Sequence, residues 1–181
     1  MSMQITRVEG GLYEVDGRAY DLGTLVMMVG FERAETIENQ IVSQVEQMKR
    51  RNEYIQTLTK AMADVQGWVN DHKEGDCCFH ATDHTYTVGD EEKSLKEIFE
   101  DDPGLGLSEW DYDQDGHWNW KECQTAIDLM KGRIDALNSE SQLDMIRLQS
   151  LMSKRDNIYQ SISNLMKTDQ KSKDTAISNL R

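Results

Sequence analysis

The sequence predicts a mainly α protein: a long antiparallel coiled-coil helical hairpin, with a short N-terminal β-hairpin or extended arm and an acidic irregular insertion between the helices. Three observations lead there. Apolar residues recur at heptad spacing along two separate stretches, 31–69 and 120–181. The excess negative charge is confined to the segment between them. A hydrophobic content of 38% with only 7% aromatics suits a narrow helical seam better than a thick core, and a mean hydropathy of -0.70 agrees.

Residues 1–30 read as an arm. Leu12-Tyr13-Glu14-Val15 and Arg18-Ala19-Tyr20-Asp21-Leu22 flank Asp16-Gly17, a two-residue hairpin signal. The extended reading continues to Met28. The N-terminus has no apolar core or small-residue cleavage site, which reads against Sec-type export. The longest apolar run, Leu25 to Val29, is too short to span a bilayer.

From Phe31 to Val69 the period becomes helical. Ala34, Ile41, Met48, Ile55, Met62 and Val69 fall seven apart, and Ile37, Leu58 and Val65 lie three residues on. Gln44 and Arg51 interrupt that second row. About ten turns without glycine or proline are typical of a coiled coil.

Residues 70–119 form the insertion. Between Asp71 and Gly116 stand 15 acids against three bases (Lys73, Lys93 and Lys96), so this segment holds 12 of the 13 net negative charges. The broken, charged composition predicts a solvated unit with one short helix near Lys93–Phe99. The overall charge argues against nucleic acid and anionic membrane surfaces as partners, because both require clustered cations.

The second helix is expected from Trp120 to the C-terminus. Its first row is Ile127, Ile134, Ser141, Leu148, Arg155, Ile162, Asp169 and Ala176. Its companion row is Met130, Leu137, Asp144, Leu151, Ile158, Leu165, Ser172 and Asn179. Met145, Met152, Tyr159 and Met166 widen the stripe beyond what one partner helix needs. The assembly seam is therefore assigned to Ile41, Met48, Ile55, Leu58 and Met62 with Ile127, Ile134, Leu148, Leu151, Ile158, Ile162 and Leu165.

One motif in the insertion carries chemistry. Asp111 to Glu122 matches a twelve-residue calcium loop. Asp111, Asp113 and Asp115 offer carboxylates at positions 1, 3 and 5, and Gly116 stands where the turn needs positive φ. His117 offers its carbonyl, Asn119 stands at position 9, Trp118 fills the apolar eighth position and Glu122 is the bidentate twelfth ligand. The competing reading is an acidic turn whose Asp115 or neighbours cap the second helix. No cofactor is required by the helical hairpin; calcium is the one the string offers.

Cys77, Cys78, His80 and His84, with His72 nearby, are soft ligands without the paired spacing of a zinc knuckle. Cys77 and Cys78 are adjacent and Cys123 is distant, a poor disulfide framework. No nucleophile elbow, phosphate loop or catalytic triad pattern is present, so the sequence predicts a protein that is not an enzyme.

The stretches Tyr20–Leu25 into Phe31–Ala34, Leu137–Arg155, Ile158–Met166 and Ala176–Arg181 resemble the helical arms of type III secretion filament and needle-tip proteins of the EspA-like kind. The likeness covers roughly residues 20–70 and 125–181 and leaves the insertion outside. It implies a secreted structural protein, exported to the bacterial surface without a cleaved signal peptide, that self-assembles through its N- and C-terminal helices into a needle-extending filament or tip. It also implies contacts with needle and translocator proteins and a small helical export chaperone. The alternatives are a calcium-binding helical interaction module and an intracellular coiled-coil adaptor or chaperone.

Overall fold

A computed structural model describes residues 5–8, 12–75, 78–106 and 116–179. It is mainly helical, with a short N-terminal sheet and two long helices that pack together. The elements are β1 (Ile5–Arg7), β2 (Tyr13–Val15), β3 (Arg18–Tyr20), α1 (Leu22–Asp71), β4 (Phe79–His80), β5 (Thr85–Val88), β6 (Glu91–Ser94), α2 (Leu95–Asp101), β7 (His117–Trp118) and α3 (Trp120–Asn179). The chain divides into two compact units: a terminal unit (Met1–Gln44 with Ile146–Arg181) and a central unit (Val45–Met145).

In the terminal unit, β1, β2 and β3 form an antiparallel sheet. The expected turn is present, with positive φ at both Asp16 (50°) and Gly17 (77°), as a primed hairpin turn requires. The first helix starts nine residues earlier than its heptads suggest. Asp21 caps it: its carboxylate accepts from the Thr24 amide (2.9 Å) and the Thr24 hydroxyl (2.8 Å), and its carbonyl accepts from the Leu25 amide. The cap and these donors hold the Asp21 carboxyl below its usual range. Leu25 to Val29 is thus helical, not extended; a short apolar run does not distinguish the two by itself.

Gly30 belongs to that helix because α3 passes close by. A Cβ there would lie 2.8 Å from Ile162 Cγ1. Further along, the Tyr159 hydroxyl donates to Glu38 (3.0 Å), and a Cβ on Gly23 would lie 3.6 Å from Asp169. Partner numbers rise on α3 as they fall on α1, so the two segments run antiparallel.

The central unit corrects the expectation of an irregular insertion. Phe79, Ala81, Tyr86, Leu95, Ile98, Phe99, Leu105 and Trp118 are all buried, and they close over Leu58, Ala61, Val65 and Val69 of α1 and Cys123, Ala126, Ile127 and Met130 of α3. Residues 78–106 fold into a β5–β6 hairpin turning at Gly89 (φ 65°) and the helix α2. A reciprocal capping box starts α2: the Ser94 hydroxyl accepts from the Glu97 amide, and the Glu97 carboxylate accepts from the Ser94 amide. The misreading has a physical cause. The short helix expected near Lys93–Phe99 is α2, with Leu95, Ile98 and Phe99 buried; elsewhere in the segment the apolar residues are scattered among polar and acidic ones, which can face water while their apolar neighbours face the helices.

Candidate functional site

Three features hold side chains of chemical interest: the start of α3, a polar cluster beside α2, and the outer face of α3.

At the start of α3, β7 pairs antiparallel with β4, Phe79 opposite Trp118 and His80 opposite His117. Trp118 is fully buried, with ring centres 6.1 Å from Phe79 and 5.1 Å from Phe99. Gly116 adopts φ 77°, and its carbonyl accepts from the Ala81 amide (2.8 Å). Asn119 caps α3: its side-chain oxygen accepts from the amides of Lys121 (2.9 Å) and Glu122 (3.1 Å), while the Glu122 carboxylate accepts from the Asn119 amide (2.6 Å). Asn119 therefore fills the capping role for which Asp115 was considered. Asp111, Asp113 and Asp115 lie outside the described residues.

The described half of the predicted calcium loop thus has its positive-φ glycine, its buried eighth residue in a short antiparallel bridge, and its twelfth residue on the first helical turn. Among the described residues, no group of three His, Cys, Asp or Glu converges as a metal set.

Among the described residues, the soft ligands considered for zinc form no group of three. His84 stacks on Phe79 (4.4 Å between ring centres) and His72 stacks on Trp68 (4.5 Å), with its Nδ1 2.8 Å from the Trp68 carbonyl oxygen. Cys77 lies outside the described residues and Cys78 is half-buried. Cys123 is buried, and chiefly that burial pushes its thiol up to about 12, which leaves it a poor nucleophile.

Beside α2, Asp102 is 7% exposed and accepts from the Tyr54 hydroxyl (2.8 Å), Arg133 Nε (2.7 Å) and the Gly104 amide (2.9 Å). Burial acts to raise its carboxyl; the Arg133, Tyr54 and Gly104 donors prevail and hold it below the usual range. Burial and the same carboxylate push the Tyr54 phenol upward. A Cβ on Gly104 would lie 2.8 Å from Arg133 Cδ, so this glycine admits the guanidinium stem. The sequence reading missed this cluster, whose three side chains come from α1, the Asp102-Pro103-Gly104 turn and α3. Asp-Pro-Gly was the available signal, and it marks a turn without naming its partners.

The polar interruptions of the heptads have a similar outcome. Arg51 pairs with Asp144, which is 3% exposed, and with Glu140 (3.2 Å). Arg51 and Asp144 each occupy a companion-row position, so the two defects answer one another and favour one register.

Eleven of the twelve assigned seam residues are buried or half-buried. Leu58, Ile127 and Ile162 are buried; Ile41, Met48, Ile55, Met62, Ile134, Leu148, Leu151 and Ile158 are half-buried; Leu165 is exposed at 36%. In the terminal unit, the row one position further round α3 is uncovered: Met152 is 42% exposed, Tyr159 38% and Met166 53%. Beside it, Val26, Val29 and Gly30 of α1 with Ile158, Ile162 and Leu165 of α3 line a groove of about 260 Å³. Among the described residues no helix is long and apolar enough to cross a membrane.

Compared with protein-family models, with curated proteins and with solved structures, the chain matches none.

Proposed function

We propose that this chain is a self-associating structural protein whose two long helices form a coiled-coil hairpin and whose Met152–Tyr159–Met166 row receives a second copy. The observation that carries the reading is that row: three large side chains at heptad spacing stay open to water after the seam has been filled from within the chain. The heptad positions from Ala34 to Val69 support the coiled coil, since none of the eleven is exposed. With the resemblance of the arms, the assembly reads as a needle-extending filament or tip of a type III secretion apparatus. The partners would be needle and translocator proteins outside the cell and a small helical chaperone before export.

Light scattering and negative-stain microscopy on the purified chain test the association. Oligomers or filaments are expected, and Met152→Asp with Tyr159→Asp should abolish them while far-UV circular dichroism keeps its helical signal. A strictly monomeric parent at high concentration would sink the proposal. Finding the unprocessed chain in culture supernatant tests export and separates the secreted reading from an intracellular adaptor.

A second reading, a calcium-responsive module, draws its support from the Gly116 backbone, the Trp118 bridge and the place of Glu122 on α3. Calorimetry with calcium on the parent, on Asp111→Ala and on Glu122→Gln decides it: heat in the parent alone sustains calcium binding, and no heat at millimolar calcium leaves Glu122 as a capping residue.

A further inference from the structure

We propose that His80 and His117 form a two-histidine site for a divalent late transition-metal ion, Cu2+ foremost, that clips β4 to β7. The two residues are direct cross-strand partners, and directly opposite side chains lie close enough to share a ligand. Their ring centres are 4.4 Å apart with the planes at 68°. Both side chains are exposed, so an ion from solvent reaches them.

The ring spacing bears on whether the pair can share one ion. Two imidazoles bound at about 2.0 Å and at right angles about one metal hold their centres roughly 4.5 Å apart, whereas a tetrahedral angle opens this to about 5 Å. The observed separation of 4.4 Å is therefore one that two imidazoles sharing a single ion can span. Cu2+ heads the affinity order for nitrogen ligands among divalent first-row ions. Among the described residues no third His, Cys, Asp or Glu joins the pair.

The site is separate in chemistry from the calcium loop. Calcium would use the His117 carbonyl and the acidic side chains, while Cu2+ uses the two imidazoles. Binding pins the strand that follows α1 to the strand that opens α3, within the central unit.

The test is titration of the full chain, free of any histidine tag, with Cu2+ against glycine as competitor, following quenching of tryptophan fluorescence. Ni2+ repeats the titration without thiol oxidation. One equivalent is expected to quench, since Trp118 adjoins His117. His80→Ala and His117→Ala should each weaken binding at least tenfold, and His72→Ala, His84→Ala and Asp111→Ala should leave it within twofold. If an alanine variant loses its helical signal, His80→Asn or His117→Asn takes its place with the same expectation. Parent-like affinity in either His80 or His117 variant would overturn the proposal. So would an equal loss in Asp111→Ala, because the ion would then sit in the acidic loop.

Discussion

The terminal and central units are built on the same two helices, with the same heptad spacing, and end in different states. In the central unit, buried side chains from α1, α2, α3 and the intervening strands close around Trp118, Phe79 and Phe99. In the terminal unit the buried apolar set is small, with Val15, Leu25, Ala34 and Ile162 as members. Phe31, Val42, Ile146, Met166 and Ile177 remain more than half exposed. The heptads are equivalent; what covers them is not. A two-helix seam shields one face of each helix, and only a third layer can shield the rest.

The comparison can be broken most forcefully at Trp118. Trp118→Ala should cost about 3–5 kcal/mol and unfold the central unit first, visible as lost amide-exchange protection between residues 78 and 106. Uniform loss across the chain would mean that the two units share one cooperative transition.

Asp102→Ala should cost about 1–3 kcal/mol, because it strands the Tyr54 hydroxyl and the Arg133 guanidinium. It should also change the pH profile. A carboxyl held low in the folded state contributes stability above its unfolded value of about 3.9, and that contribution is lost as pH falls through the lower folded value. Urea midpoints measured downward from pH 5 should therefore fall less steeply in the variant; parallel curves would assign the acid sensitivity elsewhere.

The glycines sharpen the contrast. Gly30→Ala should destabilise by roughly 1–3 kcal/mol, since its methyl would collide with Ile162. Gly67→Ala lies on the same helix, where nothing stands within 4 Å, and should stabilise by roughly 0.5–1 kcal/mol. Thermal melts of the two variants should move in opposite directions. Smallest of all, Met152→Gln should change the stability of the isolated chain by no more than about 0.5 kcal/mol while weakening association, a separation that a buried residue would not permit.

Legibility followed the range of the interactions. The Asp16-Gly17 turn and the heptad rows are local signals and stood in the sequence. The first-helix start did not, because Gly30 looks like a breaker until the close passage of α3 gives it a reason. Within the insertion only the short helix near Lys93–Phe99 had a local signal; the pairing of Phe79 with Trp118 and of His80 with His117 had none, since strands of two residues carry no period.

By itself the sequence determined which side chains share a stripe, because a helix maps a repeat of seven onto one face whatever surrounds it. Tertiary structure decided which stripes are covered. That outcome depends on distant residues meeting: Arg51 with Asp144, Asp102 with Arg133, Phe79 with Trp118. Burial is a property of what stands opposite, and no single segment specifies its own opposite.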